Sequence, residues 1–139
     1  MNEIIVLGGP KIHVVPIIPL RDVVVYPTNE VVLTFGRKKS ISAINDALSK
    51  DKLVALFTQR DSKTDDPGVS DLYEVGTLCM VERTLKTDGE LNALVRGISR
   101  IKLVKLDNDS SVQMVTVEDL SEKIIDSEEI VSKALFHNN

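Results

Sequence analysis

The stretch Ile17-Ile18-Pro19-Leu20-Arg21-Asp22-Val23-Val24-Val25-Tyr26-Pro27 decides how the rest of the chain is read. Its isoleucines and valines demand burial, while Pro19 and Pro27 each lack a ladder donor. That combination bars the centre of a sheet and predicts a first strand over residues 12–20 that runs to a sheet edge, followed by a bent crossover packed under the rest of the domain. Arg21 and Asp22 are too polar to be buried alone, so they are expected to satisfy one another or nearby backbone groups.

The following segments read as elements that cover or extend this one. Glu30 to Phe35 is β-branched and follows a Thr28-Asn29 turn, which predicts a second strand. From Lys38 the apolar period becomes helical. Ile41, Ile44 and Leu48 share a face with Ala43 and Ala47, and Gly36 or Arg37 is placed near the cap. Leu53 to Phe57 is a continuous apolar run too short for a helix, hence a strand buried on both faces. A polar loop spans residues 59–71 and is long enough to invite a role.

Residues 73–86 form a long strand with Val75, Cys79, Val81 and Leu85 expected on one face, and Gly76 marks a bulge or a close backbone approach. Asp88-Gly89 predicts a tight hairpin, because glycine takes positive φ without steric cost. The return strand buries Leu91, Ala93 and Val95, bends at Gly97, and resumes with Ile101 and Leu103. A turn at Asp107-Asn108-Asp109-Ser110 leads to a last strand over residues 112–117.

Residues 1–11 read as a tail ending in Gly8-Gly9-Pro10. Residues 12–120 form the β domain, and residues 121–139 a connector and the first helix of a helical subdomain, beginning near Ser127. The fold class is therefore α+β, mainly β: a pseudo-barrel of about six strands with one packed helix after strand two.

Composition restricts the function. The 139 residues are 42% hydrophobic and 27% charged, as in soluble globular domains. Only 4% are aromatic, so Val, Ile and Leu must build the core. A net charge of −4 argues against a dedicated nucleic-acid binder. The lone Cys79 excludes an internal disulfide and suits a reducing compartment. No run approaches the ~20 apolar residues of a membrane span, and the N-terminus lacks a signal peptide's basic region. A cytoplasmic location is expected.

No phosphate loop or G-x-S-x-G elbow is present, and no S-x-x-K pair sits where a nucleophile would be expected, so no catalytic residue is assigned. His13 and His137 lie near opposite ends with only Cys79 between them, which offers no zinc site; His13 is expected to be a half-buried strand residue. Asp61, Asp65 and Asp66 lack calcium-loop spacing and read as solvated loop acids. Arg96, Arg100 and Lys102 share parity, with Lys105 nearby. They could touch phosphates, but such cations more often guard a strand edge.

Pro19-Leu20-Arg21-Asp22-Val23-Val24-Val25-Tyr26-Pro27 resembles the signature that opens the N-terminal domain of the ATP-dependent protease Lon. The resemblance continues through Phe35-Gly36-Arg37-Lys38-Lys39-Ser40-Ile41, Asp66-Pro67, Asp71-Leu72-Tyr73-Glu74-Val75-Gly76-Thr77 and Leu94-Val95-Arg96-Gly97-Ile98-Ser99-Arg100. It covers residues 12–119 in order. Two departures stand out: Val31-Val32-Leu33 replaces a strand that commonly carries proline, and Arg96 stands where an acid is frequent.

The resemblance implies a PUA-like β domain and then a helical subdomain. It implies a non-catalytic part of a serine-lysine protease that captures unfolded or damaged proteins and helps assemble a hexamer. ATP and magnesium would belong to the ATPase of such a parent, with no cofactor, metal or known substrate-contact residue in this segment. The same domain also occurs in adaptors that recruit clients for degradation. An RNA-binding PUA-like module is a further alternative, disfavoured by the acidic charge and few stacking aromatics.

Overall fold

The structure is a computed structural model and describes residues 11–107 and 112–120. Its elements are β1 (Ile12–Leu20), β2 (Glu30–Phe35), α1 (Lys38–Leu48), β3 (Leu53–Thr58), β4 (Val75–Thr87), β5 (Glu90–Asp107) and β6 (Met114–Asp119). One sheet runs β2-β5-β4-β3-β1-β6, and a further β5–β6 pairing closes it partly into a ring with β2 outside. This is the expected architecture of six strands with one helix after the second. The proposed tail, the turn at Asn108, the connector and the helix from Ser127 lie outside the described residues.

The first strand corrects the edge expectation. β1 lies between β3 and β6, but it uses them in succession. Ile12 to Pro16 pair antiparallel with β6, and Ile17 to Leu20 pair parallel with β3. The half that holds Pro19 therefore has one neighbour, and the absent donor points to its unpaired side. There the Pro19 carbonyl accepts a hydrogen bond of 3.2 Å from the Arg37 guanidinium. Parallel neighbours require a crossover, and β2 with α1 supply it.

Beyond β1 the crossover turns at Asp22 (φ 56°) and Thr28 (φ 72°), both left-handed. Arg21 and Asp22 are exposed, and Arg21 does not turn to its neighbour. It donates to the Ser62 carbonyl at 2.7 Å and approaches Asp65 at 3.6 Å. The crossover is pinned by the hydroxyl of Thr58, which donates to the Val23 carbonyl at 2.8 Å, and by Thr77, which donates to that of Val25. A Cβ on Gly97 would strike the Tyr26 and Pro27 backbone, and one on Gly76 would strike Leu56 and the Phe57 ring. Both glycines mark close approaches.

The long β5 reaches β2, β4 and β6 because it is bulged. Leu78 faces Ser99 while Cys79 faces Gly97, which leaves Ile98 as an extra residue. Glu82 and Val104 are extra residues at two further shifts. Each bulge flips the side-chain alternation and adds twist. The extra Glu82 moves Leu85 off the face of the buried Cys79 and Val81, whereas Val75 keeps their parity but is exposed at the start of the strand, so the four do not form one buried face.

Two cores result. Ile44, Ala43 and Ala47 of α1 pack with Ile18, Leu20, Val25, Phe35, Val54, Cys79, Val81 and Val95 on one side of the sheet. Ile17, Ala55, Phe57, Leu72, Leu78, Ile101, Val115 and Val117 fill the ring. β3 contributes to both, as its uninterrupted apolar run requires.

Candidate functional site

Outside the ring, β2 and the adjoining halves of β5 and β4 form a three-stranded extension. α1 covers one face through Phe35, Leu91, Ala93 and Val95. The opposite face carries Val32 against Leu94, with Arg83 registered with Leu94 on β4 and Leu85 one row further, opposite Asn92 and diagonal to Leu94. Val32 and Leu85 are each 65% exposed.

Polar networks bracket this apolar stripe. At one end the Arg96 guanidinium donates to Glu82 at 2.8 Å, and Arg96 is registered with Glu30. The Glu82 carboxyl is held below the usual range by the Arg96 hydrogen bond. Glu30, hydrogen-bonded to and repelled by Glu82, is raised. At the other end the Thr34 hydroxyl donates to Asn92 Oδ1 at 2.7 Å, and Asn92 Nδ2 donates to the Thr87 hydroxyl at 3.2 Å.

A second feature lies along the unpaired side of β1. Two adjoining cavities of about 350 and 220 Å³ share Pro19, Arg37 and Ser40. Loop 59–71 forms one wall and is tied down by cations. Lys39 meets Asp66 at 2.7 Å and holds its carboxyl below the usual range. Arg37 reaches the Asp65 carbonyl at 3.4 Å and Gln59 Oε1 at 3.4 Å, and burial lowers its guanidinium pKa. Buried Gln59 in turn donates to the carbonyls of Asp61 and Thr64 at 3.0 and 2.9 Å. Asp65 and Asp66 are thus structural partners as well as solvated acids.

The cationic strip does not form. Met80 and Leu78 point to the face opposite Cys79 and Thr77; Arg96 is registered with Met80, whereas Arg100 is registered with Thr77. The extra Ile98 therefore puts Arg96 on one face and Arg100 with Lys102 on the other. Nor is β5 an edge here, since Arg96, Arg100 and Lys102 all have ladder partners on β4. Lys105 follows the next bulge, beside Thr116 of β6. Arg100 lies over the Tyr26 ring, 5.8 Å from its centroid.

His13 is half-buried, 3.9 Å from Asp119. Cys79 is fully buried, and that burial pushes its thiol up to about 12. No group of three or more His, Cys, Asp or Glu suited to a metal occurs among the described residues. No helix among them is long and apolar enough to cross a membrane. Sequence reasoning missed the open face because its residues interleave with core positions. Only the register and the Glu82 bulge show that Leu85 joins Val32 and Leu94.

The family model of the "ATP-dependent protease La (LON) substrate-binding domain" matches residues 14–138. The chain is 39% identical over 114 residues to the Lon protease of Desulforamulus reducens, covering 81% of this chain and 14% of that protein. It is 39% identical over 116 residues to the Lon protease of Escherichia coli K12, covering 83% and 15%. The chain thus spans about one seventh of the length of these relatives.

Among solved structures, the N-terminal domain of Mycobacterium avium complex Lon protease aligns with a TM-score of 0.62 at 17% identity, over 77% of this chain and 54% of that one. The Lon N-terminal domain protein of Xanthomonas campestris aligns with a TM-score of 0.55 at 16% identity, over 77% and 57%. These likenesses bear on fold, and the sequence relationship bears on descent. The chain belongs to the family of Lon N-terminal substrate-binding domains.

Proposed function

We propose that this chain is the non-catalytic client-capturing part of a cytoplasmic Lon-type protease, binding unfolded or damaged polypeptides and contributing to hexamer assembly. The carrying observation is the open face of the extension. Exposed Val32, half-buried Leu94 and exposed Leu85 form an apolar stripe beside Arg83 and between two polar brackets. A surface that accepts many unfolded sequences needs apolar contact without a shaped pocket, and a polar rim that stays soluble when empty. ATP and magnesium would act elsewhere in the parent enzyme.

A stripe of this size buries little area, so affinity of a single copy should be micromolar or weaker, about −8 kcal/mol or less favourable. Several copies in a ring would raise avidity by about 10²–10⁴ without new contacts. The test compares the monomer with the same chain fused to a hexamerising scaffold, against an unfolded client and its folded counterpart. Preference for the unfolded client, gain on hexamerisation, and loss in a Val32→Ser, Leu85→Ser variant that keeps its urea midpoint are expected. Equal binding of both clients would sink the proposal.

A further inference from the structure

The cleft beside β1 has an incomplete helix end at its centre. The first turn of α1 carries no acidic residue, and its N-cap Arg37 makes no side-chain capping bond. The first-turn N–H groups therefore lack a side-chain acceptor. Ser40, in that turn, is 4% exposed and lines both cavities, and its hydroxyl has no hydrogen-bond partner among the described residues. The Ser40 oxygen is not fully enclosed, so the hydroxyl stands open to the two cavities it lines.

The charge around this point is positive in a chain whose net charge is −4. Arg21, Arg37, Lys38 and Lys39 line the cavities, against Asp65 and Asp66. Both carboxylates are already engaged, Asp65 by Arg21 and Asp66 by Lys39. The rest of the lining is largely apolar. Ile17 and Pro67 flank the centre in the smaller cavity, and Leu20, Leu33 and Phe35 in the larger. A helix N-terminus with a free hydroxyl and surplus cations suits an oxyanion, and apolar space on both sides suits an extended chain that carries one.

We propose that this cleft binds a carboxylate of an extended polypeptide, held by the Ser40 hydroxyl and the first-turn backbone of α1, with apolar side chains of the same polypeptide in the two cavities. The proposal rests on the reading that the clients are polypeptides. It adds a second contact, on a different surface from the Val32–Leu94–Leu85 stripe. The carboxylate has two sources: the free C-terminus of a client, or an Asp or Glu side chain.

The test titrates the ¹⁵N-labelled 139-residue chain with four short apolar peptides: a free C-terminal acid, its amide, the amide with one internal Glu, and the amide with Gln in that place. The acidic peptides are expected to bind at least tenfold more tightly than their neutral counterparts and to shift the Lys38, Lys39 and Ser40 amides. Ser40→Ala should reduce that preference about fivefold, while Val32→Ser leaves it intact. A response to the acid alone assigns the C-terminus, and one to Glu alone assigns the side chain. A response to both makes either carboxylate a ligand.

Equal binding of acidic and neutral peptides, or shifts confined to other elements, would overturn the proposal. If unfolded clients still bound through the open face, the capture function would stand without it. Should Ser40→Ala fail to fold, the paired peptides on the unaltered chain still decide the matter.

Discussion

Replacing Gly97 by alanine tests whether the crossover is clamped on the sheet as described. The added Cβ would meet the Tyr26 carbonyl group, with its carbon at 2.9 Å, and Pro27 Cα at 3.0 Å. These are backbone atoms, so no rotamer change relieves the overlap. The crossover must lift, which strains the bonds from Thr28 N to Gly97 O (2.9 Å) and from Gly97 N to Asn29 O (2.8 Å). Two backbone bonds contribute about 1 kcal/mol each. Partial exposure of Val25 adds about 1 kcal/mol.

The expected destabilisation is therefore about 3 kcal/mol, at the upper end of overpacking costs. With a urea slope of about 2 kcal/mol/M this lowers the midpoint by about 1.5 M, read by far-ultraviolet circular dichroism. Gly36→Ala is the matched control. Nothing lies within 4 Å of its Cβ position and its φ is not positive, so it should be neutral or stabilise by up to about 1 kcal/mol. A Gly97→Ala chain that unfolds at the wild-type midpoint would refute the clamp.

Ile44 is fully buried between α1 and the sheet, so Ile44→Ala should cost about 2–5 kcal/mol and Ile44→Val about 1 kcal/mol in the same urea assay. With its thiol pushed up to about 12, Cys79 should resist alkylation at pH 8 until the chain unfolds. Labelling as fast as that of free cysteine would contradict its burial. Lys39 depresses the Asp66 pKa, so this carboxylate contributes stability that is present above its unfolded value of about 3.9. That stability is lost as pH falls through the lower folded value. Asp66→Asn should therefore remove part of the acid limb of the stability–pH curve and leave the slope around neutrality unchanged.

Local patterns were legible where one neighbour decides the outcome. The period of Ile41, Ala43, Ile44 and Ala47 gave α1, the apolar run from Leu53 gave β3, and Asp88-Gly89 gave the hairpin, with Gly89 at φ 71°. The close approaches at Gly76 and Gly97 were also visible, since glycine inside a strand has few other uses. The position of β1 was not visible. A proline excludes one ladder bond, not a central place, and a strand that changes neighbours halfway can hold Pro19 in the interior of a sheet order. Ser40 gave no signal, because its isolation depends on a loop about 25 residues further along the chain.

The bulge at Ile98 explains the largest difference between sequence and structure. Parity along a strand assigns faces only while the ladder stays in step, and one extra residue reverses every later assignment. Before Ile98 the odd residues Leu91, Ala93 and Val95 face α1; after it Ile101 faces the ring interior. The same strand can therefore serve two cores, which lets one 18-residue element tie the ring to its extension. The reversal also separates Arg96 from Arg100 and Lys102. Arg96 becomes the bracket of an apolar face through Glu82, and Arg100 covers Tyr26 on the crossover. A row of three cations would have offered a track for phosphates. Divided between two faces, the same residues leave the extension with an apolar surface and a neutralised rim, which suits contact with polypeptide.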